Sequence, residues 1–397
     1  MEWTLTKVQT TGLVVILMML SLITAVSVDM YLPAMPGIMK TFNTSESLVQ
    51  LSLVLFMIGG AIGQLFYGPF SDKYGRKPVI MVGLIIYLIA TTLCIFANSI
   101  NLFLFARIMQ AFGCCSAIVT AFAIVRDYFV DEQMAKIVAY ISAVIIISPV
   151  LAPLAGAAFL GHYHNWHSIF IGLDIFGLVS LLLVVFFLKE SNQYKHTNPL
   201  NLTKIFKDYL SIFKSKQFIG FTLANAMVFG SFLLYISESP FILMNYFHVS
   251  EHNYAVDFGI IAIGLMIGSL TVSRLVKVFS NKSILLTGAF LVIIGSASLV
   301  TLSKQTNLPV FLQFLSPMIV VSLGVGLVGP CAISCALKPF DKNAGSAAAV
   351  MGFTRFALAS SIVAVMDRLF VITPIILGMV FLCFSSLCFF LVKKVLK

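Results

Sequence analysis

Acidic residues are scarce in this chain: 15 Asp and Glu stand among 397 residues, against 25 Lys and Arg, and charged side chains of both signs make up only 10%. A soluble domain carries charge on about a quarter of its residues, so a soluble globular fold is excluded. Other absences narrow the chemistry. No G-x-x-x-x-G-K-[ST] loop is present to cradle phosphates, which argues against direct coupling to ATP. Cys94, Cys114, Cys115, Cys331, Cys335, Cys383 and Cys388 show no metal-type spacing to histidine and read as buried free thiols. His162, His164 and His167 cluster beside Trp166 without a carboxylate or thiol, so the expectation is an interfacial anchor rather than a metal site. No Ser/His, paired-Asp or metal constellation points to covalent chemistry; neither an enzyme nor a cofactor is expected.

What the chain has instead is apolar length. It is 60% hydrophobic, with 36 Phe and a mean hydropathy of +1.03. A bilayer core needs about 20 apolar residues per helical span, and twelve such runs lie near 11–32, 47–70, 78–98, 102–125, 136–160, 167–188, 217–245, 255–278, 283–303, 308–336, 343–366 and 370–392. The expected fold is therefore all-α, with twelve transmembrane helices in two six-helix bundles. A polar stretch from Lys189 to Lys216 divides them, giving an N-terminal bundle over 1–190, a cytoplasmic linker over 191–216 and a C-terminal bundle over 217–397. Within the linker, Ile205, Phe206, Tyr209, Leu210, Ile212 and Phe213 recur at helical spacing among Lys204, Lys207, Lys214 and Lys216, as in a helix lying on a leaflet. The first run follows Lys7 and lacks a small-x-small cleavage site, so it reads as a retained helix.

The net charge of +10 is topogenic rather than a nucleic-acid footprint. With the N-terminus inside, about 20 Lys and Arg fall on cytoplasmic segments, leaving Lys40, Lys304 and Arg368 outside and Arg107 and Arg355 within spans. Both termini, including Lys397, are then cytoplasmic, and the basic face has a secondary attraction to anionic lipid headgroups. A faint repeat at an offset of about 205 residues aligns Gly59, Gly63, Lys77 and Gly83 with Gly264, Gly268, Lys282 and Gly288, as a duplicated bundle would leave.

Charges inside the spans need a purpose, because hydrocarbon penalises them. Asp29 lies near the end of the uncharged run Gly12 to Tyr31, at ~5 Å from its outer end, and Arg107 lies ~8 Å into its own span, counting 1.5 Å per residue. At similar depth, the two are expected to sense one another across a cavity, with Asp29 taking up and releasing protons. Glu238 and Asp174 are two further intramembrane acids; Glu238 reads as a second proton site, a counter-ion for cationic cargo, or the cap of a broken helix.

Between the second and third runs stands Gly68-Pro-Phe-Ser-Asp72-Lys-Tyr-Gly75-Arg76-Lys77-Pro78, a tight charged turn. It resembles the G-x-x-x-D-x-x-G-R-[KR] signature of the major facilitator superfamily. The resemblance implies that Gly68, Asp72, Gly75, Arg76 and Lys77 form a latch between the halves; Ser273 to Lys282 in the second half lacks the Asp and the Gly-Arg pair. Arg107-Ile-Met-Gln110-Ala-Phe-Gly113 is similar to the R-x-x-Q-G-x-G motif, with Ala111 in place of the first Gly. Pro149, Pro153 and Gly156, following Ser148, resemble the antiporter motif G-P-x-x-G-[GP], where the helix is expected to bend. Asp29-Met30-Tyr31-Leu32-Pro33-Ala34-Met35-Pro36, Val125-Arg126-Asp127-Tyr128-Phe129 and Ser239-Pro240-Phe241 resemble bicyclomycin/chloramphenicol-resistance (Bcr/CflA-type) drug:proton antiporters. That resemblance implies a monomeric exporter of small, mostly apolar organic compounds in the bacterial cytoplasmic membrane, exchanging cargo for protons by alternating access. Asp29 matches the family's first-helix acid, and Ser21 stands where some relatives carry a second. Asp29, Tyr31, Arg107, Asn225, Tyr235 and Glu238 are the candidate substrate-binding residues. A dedicated exporter of one metabolite or siderophore on the same scaffold is the alternative, with a proton symporter less favoured.

Overall fold

Backbone amides in lipid have no water to bond, so long apolar segments satisfy them internally as helices. A computed structural model of the chain describes residues 7–192, 202–305, 307–340 and 344–395, and all regular structure among them is helical. The helices are α1 (Lys7–Asp29), α2 (Met35–Thr41), α3 (Glu46–Tyr74), α4 (Arg76–Ile95), α5 (Ile100–Tyr128), α6 (Asp131–Tyr163), α7 (His167–Phe187), α8 (Leu202–Ile212), α9 (Lys216–Pro240), α10 (Glu251–Leu275), α11 (Asn281–Leu302), α12 (Ser316–Leu337), α13 (Ala344–Leu369) and α14 (Pro374–Val395). Twelve helical segments are long and apolar enough to cross a membrane.

The first of these runs from Gln9 to Thr41, well past the end expected near residue 32. Pro33 and Pro36 do not end the span. They occupy the first turns of a 3-10 helix, Leu32–Ala34, and of α2, positions where the missing N–H has no helical partner to lose. The chain breaks at Asp29, restarts twice and continues, which leaves Asp29 about 18 Å of helical path from Thr41 at 1.5 Å per residue.

The chain divides into two compact units, Met1–Thr44 with Leu55–Leu202, and Ser45–Val54 with Thr203–Lys397. The division falls inside the stretch assigned as linker, of which residues 193–201 lie outside the described residues, as does Lys397. The amphipathic stretch forms α8, with Ile212 buried and Phe206 and Leu210 exposed.

In each unit, glycines set how closely helices approach, and the aligned glycines have matching partners. In the first unit Gly59 meets the Ile108 carbonyl, Gly63 meets Cys115, and Gly83 meets Gly113. In the second, Gly264 meets Ile319 and Ser322, Gly268 meets Leu323 and Gly326, and Gly288 meets Gly324. A Cβ on Gly113 would stand 2.6 Å from the Gly83 oxygen, and one on Gly324 would stand 2.6 Å from the Gly288 oxygen. α4 with α5, and α11 with α12, are thus locked by the same backbone-to-backbone contact.

Two expectations need correction. Trp166 is not an anchor reaching into the interface: it is buried, packs against Phe42, Phe103 and Phe170, and donates its indole N–H to Thr41 Oγ1 at 3.0 Å. The indole ties the start of α7 to the end of α2, and His167 stacks on it. Cys383 is exposed and Cys335 half-buried, while the other five thiols are buried; a thiol behaves as a small apolar group and suits a lipid-facing surface as well as a core. Replacing Gly113 with Leu should destabilise the detergent-purified protein by about 1–3 kcal/mol, the usual cost of overpacking. Gly60→Ala, where an added Cβ meets nothing within 4 Å, should leave the thermal unfolding midpoint unchanged.

Candidate functional site

Asp29 closes α1 and is buried, at 5% exposure, rather than turned to bulk solvent. Its carboxyl group faces the hydroxyl of Ser148 on α6, which is buried and completes no well-formed hydrogen bond. Pro33 cannot donate to the Asp29 carbonyl, so the last turn of α1 is open. One residue on, the Met30 carbonyl oxygen lies directly against Gly156, where any Cβ would collide with it. The small residue of the antiporter-like segment is therefore what lets α6 approach the break in α1. α6 is helical without interruption through Pro149 and Pro153, although the Ile145 and Pro149 carbonyls lose their helical donors.

Arg107 is fully buried on α5 and is not Asp29's partner. Its Nη1 donates to the Ser27 carbonyl at 3.2 Å and to Gln110 Oε1 at 2.6 Å, and Gln110 Nε2 donates in turn to Thr91 Oγ1 at 2.9 Å. Ser27 Oγ shares a hydrogen bond of 2.9 Å with the Tyr87 hydroxyl. The guanidinium carbon stands 4.2 Å from the centre of the Tyr31 ring and 4.3 Å from that of Phe56, while Nε and Nη2 are buried with no hydrogen bond. The expected mutual sensing of Asp29 and Arg107 at similar depth is thus corrected. Ser27 and Asp29 are two residues apart on α1 and face roughly opposite sides; the Ser27 side goes to α4 and α5, and the Asp29 side goes to α6. The ion pairs found among the described residues are Arg76 with Asp72 and Arg76 with Asp127, so Asp29 has no cationic partner there.

The charged turn is built around Arg76. Its Nη1 donates to Asp72 Oδ1 and to Ser71 Oγ at 2.9 Å, and its Nε donates to Asp127 Oδ2 at 3.0 Å. Asp127 also accepts from Ser191 Oγ at 2.6 Å, which gives the Arg-Asp-Tyr-Phe string a physical role. Glu190, which sequence reasoning passed over, caps α4: its carboxylate accepts the Arg76 N–H at 2.9 Å and the Lys77 N–H at 3.3 Å. Negative charge on the free amides of a helix N-terminus is favourable. Gly75 adopts φ +103°, and a side chain there would run into that same carboxylate. Lys77 Nζ donates to the Val185 carbonyl at 2.8 Å. Gly68 has open space where a Cβ would stand, so close packing is not its reason. All these partners belong to the first unit.

In the second unit, Glu238 is 4% exposed and faces Asp367 of α13. A carboxylate has no proton to donate, so a hydrogen bond between the two requires one to be protonated. They line a cavity of about 340 Å³ with Glu46, Gln50, Asn245 and Thr373. The Ser239-Pro240 string explains the local fold. Pro240 cannot donate to the Ile236 carbonyl, and Ser239 Oγ takes that acceptor at 3.1 Å while holding the Tyr254 hydroxyl at 3.0 Å. A π-helical stretch, Phe241–Tyr246, follows. Asn225 is buried with Nδ2 unpaired, and Tyr235 is buried in a ring cluster with Phe232, Phe258 and Phe314, its hydroxyl unpaired. Asp367 escaped notice in the sequence because it lies at the end of a run beside Arg368; its signal was an acid within helical reach of the boundary.

The cap on α4 makes a direct prediction. Glu190→Ala leaves the Arg76 and Lys77 amides without their acceptor and should cost about 1 kcal/mol, the usual value of a lost helix cap. Thermal unfolding should show that loss, and Glu190→Gln should recover part of it.

The Major Facilitator Superfamily profile matches residues 17–364. Among similar proteins, "Uncharacterized MFS-type transporter YdgK" of Bacillus subtilis is 29% identical over 88% of this chain and 87% of its own. "Bicyclomycin resistance protein homolog" of Haemophilus influenzae is 28% identical over 86% and 85%. "Multidrug resistance protein MdtL" of Citrobacter koseri is 31% identical over 83% and 81%. A solved D-xylose-proton symporter superposes with a TM-score of 0.82 at 15% identity, covering 98% of both chains, which speaks for the fold alone. With twelve candidate spans among the described residues and a family profile that covers most of its length, the chain is a multi-pass membrane transporter and belongs to the Major Facilitator Superfamily.

Proposed function

We propose that the protein exports small, mostly apolar organic compounds across the bacterial cytoplasmic membrane in exchange for protons, with both termini cytoplasmic. The observation that carries this reading is the Asp29 carboxyl, buried at a helix break against Ser148 and the Pro149–Gly156 segment, with no ion-pair partner among the described residues. In apolar surroundings such a group is neutralised by a proton or by a cationic or hydrogen-bonding cargo, and the two exclude each other. Mutual exclusion at one site is the thermodynamic requirement for exchange. Relatives named for bicyclomycin, chloramphenicol and multidrug resistance support drugs as cargo. Glu238 with Asp367 is the second proton-binding pair in this scheme, and the Asp72–Arg76 turn is the conformational latch. Arg107, held by Gln110 and by the rings of Tyr31 and Phe56, orients the α1 break rather than trading protons.

Expression in an efflux-deficient bacterium should raise resistance to bicyclomycin or chloramphenicol, and Asp29→Asn at matched expression should return it to the empty-vector level. Full resistance in that variant would overturn the proton-carrier role. Reconstituted wild-type protein should release protons on addition of cargo, and Asp29→Asn should not.

For Arg107 the expectation separates binding from structure. Gln110→Leu frees the guanidinium from its anchor and should weaken transport with an unchanged pH profile; a shifted profile would place Arg107 in the proton path.

A further inference from the structure

Arg355 stands near the middle of α13, about 17 Å from Ala344 and about 21 Å from Leu369 along the helix. That is too deep for an arginine to snorkel to either end. Its guanidinium carbon lies 4.6 Å from the centre of the Phe229 ring on α9 and 4.6 Å from that of Phe356. The two rings meet edge to face at 5.7 Å. Among the described residues it forms no ion pair, and its Nε is buried without a hydrogen bond. Arg76 and Arg107 both have oxygen acceptors; Arg355 has only ring faces. Cation–π contact offsets part of the desolvation of this half-buried residue but leaves its Nε donor unused. On the same side of α9, one turn before Phe229, Asn225 is buried with Nδ2 unpaired, and Thr222 is buried with Oγ1 unpaired.

We propose that Arg355, framed by Phe229 and Phe356 and assisted by Asn225, is a binding site for the carboxylate or enolate of an aromatic organic anion. A planar, delocalised oxyanion matches the guanidinium fork, and an aryl group attached to it stacks on the rings that already hold the cation. The assignment rests on the transport reading for its cargo but concerns binding alone.

The test uses purified full-length protein in nanodiscs, without a proton gradient, and measures equilibrium binding of 2-naphthoate and of uncharged 2-naphthamide. Wild type should prefer the naphthoate by about tenfold, as one charge-assisted pair provides. Arg355→Gln should erase the preference, and Arg355→Lys, which keeps the charge but loses the fork, should retain only part of it. No preference in the wild type, or one that survives in a folded Arg355→Gln or Arg355→Lys protein, would overturn the assignment. Displacement of naphthoate by inorganic phosphate at equal concentration would overturn the organic-anion class. Failure of drug efflux in cells with the naphthoate preference intact would instead refute the transport reading and leave this site standing.

Discussion

Inside the spans water is missing, and the structure there is organised by how each charge is compensated. Arg76 is surrounded by Asp72, Asp127 and Ser71, and the neighbouring helix start is capped by Glu190. Arg107 is half compensated: one nitrogen is bonded to a carbonyl and an amide oxygen, and the remainder sits among rings. Arg355 has rings alone. The series runs from scaffold to function, because a charge that is already satisfied has nothing to offer a passing ligand, whereas an unsatisfied one is retained against a standing energetic penalty.

The acids follow the same logic through the backbone. Asp29 lies at the break that precedes Pro33, and Glu238 lies two residues before Pro240, where α9 gives way to a π-helical turn. Each lies at the C-terminal end of the first complete spanning helix of its unit, so the internal duplication visible in the glycine contacts extends to the placement of an acid beside a proline-associated break. Such breaks expose carbonyls that a regular helix would use, and they place a polar terminus at membrane depth where a proton or cargo can be held.

Much of the scaffold was legible in the sequence. The twelve apolar runs were read correctly, and the aligned glycines fall at matching helix contacts, because each depends on local composition or on residues a few positions apart. Partners were harder. Glu190 and Arg76 are far apart in sequence, and nothing at Lys189-Glu190-Ser191 announces a cap for a distant helix. The first span was set to end near residue 32, whereas proline at a first helical turn permits a restart that carries it to Thr41. The pairing expected between Asp29 and Arg107 is not seen because Arg107 meets α1 at the Ser27 carbonyl while the Asp29 carboxyl is turned to Ser148 of α6.

Among the described residues without an ion-pair partner are a carboxyl at the α1 break in the first unit and a guanidinium midway along α13 in the second. If both were merely structural, apolar replacements of similar volume would serve better, since hydrocarbon packing carries no desolvation penalty. Under the proposed exchange, something mobile neutralises each at some stage of the cycle. In the proposed scheme a proton neutralises the carboxyl and an organic anion the guanidinium.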